Sequence, residues 1–564
     1  MQSVLEKNNI INLTQKEQNT LLSIARTTLE VCINKGEIFK PKINNSKLSK
    51  VYGVFVTLAK NKKIRGCIGS SFSKLPLYLE VRNNTIKAAI HDSRFKPMQK
   101  NELKNIKIEI SILSPPEKTK IQEINQFDGV FIRNNYHSAV FLPEVWHNYP
   151  NKEIFLSELC KKANLSSDIW KFGKIKFCKF NTMKIVENNR IKRIDIKSDS
   201  KDSFNISKDK VLDSMNLAVK WLKENQNCDG SFKYLYFPYV DEYVLEPELL
   251  RLAGTAAALA LFASLSKNKD YMNIAKRAIE YILKYVKCDK NFAYVLYKEK
   301  ANLGGVAIVL LSLLAIKEKK YNSLIKKLGN FLTSMQKEDG SFKINYIPDS
   351  YEEADQLLYP GEALLALVRL VKQTKNKKYL KNIERAFQFY KKYFERNRYF
   401  GFVPWQSQAF AELYEIRRKK EYAKFVFEMN DWIINFQYGD NYLVKNYRGG
   451  FCTYSQIPGF DTACYLEGIA AAYKVAKSLN DKRRIKRYRK SILIGMNFIL
   501  QLQYTDKNSK SIKYPKKVIG AFRENILDKD CIRYDFIQHS LIALLNTVKN
   551  FDEFDWYDGK TCLG

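Results

Sequence analysis

Residues able to do chemistry are unevenly spread along this sequence. There are four histidines, His91, His137, His147 and His539, so a His-rich metal centre is excluded and acid/base work rests on carboxylates, thiols and a lone imidazole. Beyond residue 240, acids gather just ahead of apolar runs: Glu246 and Glu248; then Asp349, Glu352, Glu353 and Asp355 before Tyr359-Pro360-Gly361-Glu362; then Asp461; and Asp535, four residues before His539. Trp405, Gln406, Arg448, Arg523 and Arg533 lie in matching stretches. Two carboxylates held apart serve as acid and base, or acid and nucleophile, in glycoside chemistry, and aromatic faces stack on pyranose rings. Glu353, Asp461, Asp535 and His539 are thus the candidate catalytic groups, and Tyr359, Glu362, Trp405, Arg448 and Arg533 the candidate substrate contacts. The competing reading is that each acid caps a helix start, where the dipole favours it, and that His539 is a satisfied core histidine.

A second set lies near the N-terminus. In Arg65-Gly66-Cys67-Ile68-Gly69 the thiol sits between two glycines, where backbone can approach a ligand closely. Arg65 is two residues from Cys67 on one strand, hence on the same face, and as a neighbouring cation it would favour the thiolate. Asp92 and Arg94 read as a structural ion pair at a helix end. Arg65, Cys67, Asp92 and Arg94 are the candidate cleft; the alternative for Cys67 is a small core residue.

These groups need elements to hold them. The 564 residues exceed the roughly 250–300 at which one core stops growing, so at least two domains are expected. Residues 1–190 alternate helix and strand signals: a capping box at Thr14-x-x-Glu17, strands at 51–60 and 64–69, a helix at 77–90, a strictly alternating strand at 106–113, a hairpin at 129–143 turning at Asn134-Asn135, a helix at 153–163 and a strand at 175–186. This is an α+β domain. A polar linker at 191–207 follows, and 208–564 reads as twelve helices in six pairs. The first of each pair is amphipathic and Lys-rich; the second, as in LGGVAIVLLSLLA, is apolar all round and therefore buried. Six outer helices around six inner ones make an all-α (α/α)6 toroid, with the loops entering the inner helices facing a central pocket. Gln226-x3-Gly230-x-Phe232 recurs as Gln336-x3-Gly340-x-Phe342, with weaker copies at Gln437 (Gly450-Phe451) and Gln503 (Gly520-x-Phe522). Such a unit is a staple: the amide caps a helix end, glycine turns the chain and the ring packs beneath the next helix.

Three resemblances attach to these residues. Arg65–Gly69, Ala88-Ala89-x-x-Asp92-Ser93-Arg94-Phe95-x-Pro97, Ile108–Ser114, Phe141-Leu142-Pro143-x-Val145 and Leu159-Cys160-x-Lys162-Ala163 resemble, in order, the motifs of the AMMECR-type domain family. That resemblance implies a fold and a cleft, with no settled reaction, and association with radical-SAM and Memo-type protein partners. The glutamine repeat is similar to the QW motif of the terpene-cyclase and prenyltransferase toroids, with Phe in place of Trp; their DxDD acid is absent, which demotes cyclisation. The same toroid resembles six-hairpin glycosidase-like enzymes, including lyases and sugar epimerases. A zinc site from Asp461, Cys464 and His539, similar to that of protein prenyltransferases, is a minor alternative, because Asp and Cys are three apart here and two apart there.

Composition bounds the rest. The formal charge is +36, but 73 of the 95 basic residues are Lys and only 22 Arg, spread along the chain with dense runs at 375–378 and 482–490. Dispersed lysine reads as solvated surface, and nucleic-acid binding is disfavoured. No run of about 18 uninterrupted apolar residues occurs, and the ten cysteines form no CxxC pair, so a cytoplasmic protein with reduced thiols and no membrane role is expected. The sequence therefore predicts an AMMECR-type domain joined to a toroid that binds and processes a saccharide-like small molecule, with no cofactor. The alternative is a non-catalytic binding or scaffold protein of a modification system.

Overall fold

The computed structural model describes residues 11–61, 63–134, 137–173, 175–187, 206–348, 356–453, 456–510, 512–527 and 531–556. It divides into two units, 1–200 with Leu443–Lys445, and the remainder.

In the first unit the predicted capping box opens α1 (Gln15–Lys35): Glu17 N–H donates to Thr14 Oγ1 at 3.3 Å and Thr14 N–H to Glu17 Oε2 at 2.8 Å. One antiparallel sheet runs β2-β1-β3-β8, from β1 (Gly53–Lys60), β2 (Lys63–Ser70), β3 (Ile106–Leu113) and β8 (Thr182–Val186). Helix α2 (Leu77–Ile90), buried along nearly its whole length, lies between α1 and β1–β2. A second antiparallel sheet runs β4-β7-β5-β6, from β4 (Glu117–Thr119), β5 (Gly129–Asn134), β6 (His137–Phe141) and β7 (Lys176–Phe180). It shares a core with α3 (Lys152–Lys162), where the rings of Trp146 and Phe155 stack 3.7 Å apart.

Two expectations are corrected here. The strand predicted at 175–186 is two strands in different sheets, because Ser114 and Asn181 bind each other through backbone and hydroxyl (Ser114 N–H to Asn181 O, 2.9 Å; Asn181 N–H to Ser114 Oγ, 3.0 Å) and hold the chain where it crosses over. In the hairpin, Asn134 pairs with His137 and so ends β5 rather than starting the turn; Asn135 lies outside the described residues.

The second unit is the expected helical ring, with, among the described residues, three small antiparallel sheets of two or three short strands in its loops. Outer helices α4 (Lys208–Glu224), α6 (Lys269–Leu283), α8 (Asn322–Ser334), α10 (Leu380–Arg396), α12 (Lys420–Ile433) and α14 (Lys482–Leu502) alternate with inner helices α5 (Leu249–Ser266), α7 (Leu303–Ile316), α9 (Tyr359–Thr374), α11 (Phe402–Arg417), α13 (Asp461–Ser478) and α15 (Tyr534–Asn550). Each inner helix touches the next, and α15 closes on α5. The tight hairpins join an inner helix to the outer helix that follows it, so α4 finds its inner partner, α15, at the far end of the chain. All of α7 except Gly305 is buried, whereas α10 buries one stripe, Leu380, Ile383, Ala386, Phe387, Tyr390 and Phe394, as inner and outer positions require. Helix α5 is long and apolar enough to cross a membrane, yet 67% of that stretch is buried within the ring.

Four staples tie the outer wall. The side-chain amides of Gln226, Gln336, Gln437 and Gln503 each donate to the carbonyl of the turn glycine (2.9–3.1 Å) and to a carbonyl on the next outer helix, Ile274, Asn382, Ser491 and Ser214 (2.9–3.0 Å). Gly230, Gly340, Gly449 and Gly520 have φ between +90° and +97°, and a Cβ there would meet an outer-helix carbonyl oxygen at 2.0–2.5 Å. In the third copy the turn glycine is therefore Gly449, not Gly450, which keeps the Gly-x-Phe spacing of the other three. Phe232, Phe342, Phe451 and Phe522 are fully buried beneath.

Candidate functional site

Trp405 and Gln408 lie on α11, Cys464 and Glu467 on α13, His539 on α15. Because α11 and α15 are not neighbours in the ring, a contact between them crosses its interior. His539 Nδ1 is 2.8 Å from Glu467 Oε1, Gln408 Nε2 donates to Glu467 Oε2 at 3.0 Å, and the Trp405 ring meets the imidazole edge-on with centroids 6.2 Å apart. Cys464 lies near enough for its sulfur to act on the imidazole electrostatically. The Glu467 side chain is 1% exposed and that of His539 16%, so the carboxylate is a buried support and the imidazole borders open space.

Electrostatics follow from this geometry. Burial opposes charge on His539, but the sulfur of Cys464 and the carboxylate of Glu467 outweigh it and raise its pKa well above the ordinary value. Burial also pushes the Cys464 thiol up to about 11. Gln406, next to Trp405 in the chain and packed against Gly361 of α9, is 1% exposed, and neither its Oε1 nor its Nε2 finds a hydrogen-bond partner among the described residues. A buried primary amide left without partners costs about 1–3 kcal/mol per group, and a polar ligand or water would satisfy it.

The other predicted residues are distributed as follows. Asp535 is not a free acid: Arg533 grips it through two bonds of 2.9 and 3.0 Å, and Arg251 lies 3.4 Å away. Arg533 also stacks on Phe536 and Phe460, 4.5 and 5.8 Å from the ring centroids. Asp461 is the first residue of α13, one turn before Cys464. Tyr359 and Glu362 lie against Gly304 of α7, where a Cβ would come 2.7 Å from Glu362 Oε2. Arg448 pairs with Asp440 in a staple loop. Glu248 caps α5, accepting from Arg251 N–H at 3.0 Å, and Glu246 pairs with Lys298 at 2.7 Å. Asp349, Glu352, Glu353 and Asp355 lie outside the described residues. No group of three or more His, Cys, Asp and Glu side chains suited to a metal forms among the described residues, so Cys464 and His539 meet without completing the trio with Asp461. Glu467 and Gln408 were not singled out from sequence; a lone carboxylate inside TACYLEGIAAAYKVA, apolar on all sides, is the signal that points to Glu467.

In the first unit, Asp92 holds the Cys67 strand to the end of α2. Its carboxylate accepts from Cys67 N–H at 2.8 Å and from Arg94 at 2.7 and 2.9 Å, and the Arg94 contact chiefly lowers its pKa to about 2. Thr57 Oγ1 donates to Cys67 Sγ at 3.1 Å. Two expectations change. Arg65 forms a bidentate pair with Glu102 (2.9 and 3.0 Å) and serves that carboxylate rather than Cys67; the cations whose fields reach the sulfur are Arg94 and Lys162. The glycines beside Cys67 admit protein: a Cβ on Gly66 would meet Ala88 O of α2 at 2.0 Å, and one on Gly69 the Phe55 ring at 2.2 Å.

A family model described as AMMECR1 matches residues 22–185. A Methanosarcina mazei protein is 34% identical over 179 residues, which span 29% of this chain and 89% of its own. Among solved structures, a protein from Pyrococcus horikoshii is 29% identical and aligns over 33% of this chain and 99% of its own with a TM-score of 0.30. A D-mannose isomerase is 13% identical and aligns over 62% of this chain and all of its own with a TM-score of 0.47.

Proposed function

Since the chain belongs to the AMMECR1 family through its first unit and carries a helical ring beyond it, we propose that the ring is the working part: it binds a small polyhydroxylated, saccharide-like molecule in its lumen and transfers a proton on it through His539. The observation that carries this reading is the buried Gln408–Glu467–His539 relay, with the Trp405 ring beside the imidazole and the Gln406 amide unmatched among the described residues. Glu467 fixes the tautomer by holding Nδ1, which leaves Nε2 as the second proton site of the ring. A histidine kept protonated near neutrality acts first as an acid and, having given up its proton, as a base. Trp405 supplies an apolar face for a sugar ring, and Gln406 a donor and an acceptor that match a hydroxyl. The nine described cysteines are all free thiols, which fits a reducing, cytoplasmic setting.

The ion pairs on Asp535 favour a second reading, in which the lumen binds its ligand without turnover. Calorimetric titration against a panel of mono- and disaccharides, together with proton NMR of deuterium uptake from D2O, separates the two. Catalysis predicts binding lost in Trp405→Ala and deuterium uptake abolished in His539→Gln with binding retained. Binding without uptake by the unaltered protein selects the second reading, and no binding by any sugar overturns both.

A further inference from the structure

A cavity of about 580 Å³ opens at the other end of the ring, among the C-terminal turns of α9, α11 and α13. Five of its lining side chains are cations, Lys372, Lys375, Lys377, Arg418 and Lys474, and one is an acid, Glu415. Its floor is apolar: Val371, Tyr414, Ile416 and Val475. Glu415 is already committed, 2.8 Å from Lys372 and 2.5 Å from Lys474. Among the described residues Lys375, Lys377 and Arg418 have no carboxylate within ion-pair distance, and Arg418 lies over the Tyr414 ring, 5.4 Å from its centroid.

The ordinary explanation for lysines at helix ends is compensation of the helix dipole. Three helix C-termini carry about half a negative charge each. Five cations against one carboxylate leave a surplus of four, so more than two positive charges remain once the dipoles are matched. Lys375 and Arg418 hold the left-handed cap positions of α9 and α11, at φ +59° and +53°, where glycine is the unstrained residue. Lys267 and Lys317 end α5 and α7 in the same way, at φ +56° and +57°. Nearby, Lys549 of α15 feels Arg369, Lys317 and Lys474, and burial together with these like charges lowers its pKa.

We propose that this cavity binds a small organic polyanion, a phosphate ester whose flat apolar body rests on Tyr414, Val371, Ile416 and Val475 while its phosphates meet Lys375, Lys377 and Arg418. Charge alone would not need the floor, and an apolar ligand would not need the cations; a pocket of this size with both takes a molecule with both. It stands apart from the lumenal cluster and does not depend on the reading given to it.

Calorimetric titration of the full chain with magnesium-free ATP, tripolyphosphate and adenosine tests the proposal. ATP is expected to bind at least tenfold more tightly than tripolyphosphate, adenosine not at all below 1 mM, and ATP affinity to fall as salt rises from about 50 to 200 mM. Lys377→Glu and Arg418→Gln, both at exposed positions, are expected to weaken ATP binding at least tenfold each; Lys223→Glu on outer helix α4, which changes net charge as much as Lys377→Glu, is expected to leave it within twofold. No ATP binding below 1 mM, equal binding of tripolyphosphate, or equal loss in Lys223→Glu would each overturn the proposal.

Discussion

Glu467→Gln isolates the charge that holds the lumenal cluster together. The substitution keeps the size of the side chain and its acceptor for His539 Nδ1, and the Gln408 amide can turn over to present its oxygen to the new amide at the loss of its 3.3 Å bond to Pro404 O. What is removed is a negative charge 2.8 Å from the imidazole, on a side chain 1% exposed. Two unit charges at that distance attract by roughly 6 kcal/mol at an effective dielectric of 20, and removing one member of a buried pair costs about 3–5 kcal/mol after desolvation is counted. The pH dependence has a definite sign. His539 has a folded-state pKa raised above its unfolded value, so the pair contributes in full below about pH 6.5 and is lost as pH rises through the higher folded-state value. The unfolding free energy of Glu467→Gln is therefore expected to fall about 3 kcal/mol below that of the unaltered protein at pH 6, with the gap narrowing in alkali. Urea unfolding followed by tryptophan fluorescence at a series of pH values measures it, and NMR titration of the four imidazoles identifies the one whose pKa drops in the variant. A gap below 1 kcal/mol at pH 6, or one that does not change with pH, refutes the reasoning.

Other expectations follow from single contacts. Gly340→Ala, at φ +97° with its new Cβ 2.5 Å from Arg385 O, is expected to cost about 2 kcal/mol or more in thermal unfolding, while Gly439→Ala, with nothing within 4 Å, stays within about 0.5 kcal/mol. Asp92, held down to about 2 chiefly by Arg94, contributes stability that is present above the unfolded value near 3.8 and lost as pH falls toward 2; Asp92→Asn should remove about 2 kcal/mol at neutral pH and flatten acid unfolding of the first unit. Iodoacetamide at pH 8 should label the exposed Cys228 and Cys288 first and leave Cys32 and Cys160, whose burial pushes their pKa to about 12 and 11, until the chain unfolds; early labelling of Cys32, read by peptide mass spectrometry, would contradict the core around α1.

The ring was legible from sequence because its two helix types differ in kind. A helix apolar on every side, such as α7, has only one place to go, and the Gln-x3-Gly-x-Phe repeat marks the joints. The first unit was legible where alternation was strict, as in β3, and misread where one continuous apolar stretch served two sheets, since Asn181 looks like a strand residue until Ser114 is seen across from it. The site was harder. His539 and Trp405 were found by residue type, but their convergence depends on α11 and α15 reaching across the ring, which no local spacing encodes. The carboxylates ahead of the inner helices drew attention for the right chemistry, yet Asp535 belongs to Arg533 and Arg251, and Glu248 to the start of α5. The acid that supports the imidazole sits two turns deeper, at Glu467.

How an apolar ring accommodates such deep polar groups is answered by its glycines. Gly254 of α5 lies where a Cβ would meet Gln538 of α15 at 2.2 Å; Gly304 of α7 faces Tyr359 and Glu362 of α9; Gly361 of α9 faces Trp405 and Gln406 of α11; Gly468 of α13 faces Pro404 and Ser407 of α11. In each case the missing side chain of one inner helix is the space taken by a larger one from its neighbour. Glycine in a helix interior costs about 0.5–1 kcal/mol relative to alanine, so four such positions oppose ring stability by roughly 2–4 kcal/mol. A closed ring of six inner helices could have been packed more stably with alanine at every one of these positions. That it is not, and that the side chains admitted include Glu362, Gln406 and Gln538, argues that the interior is shaped around polar groups rather than merely filled. Gly361→Ala tests this directly: by crowding the Trp405 Cβ at 2.7 Å it is expected to lower stability and, by displacing the Trp405 ring, to weaken lumenal ligand binding at least tenfold, and unchanged ligand binding by the folded variant would refute it.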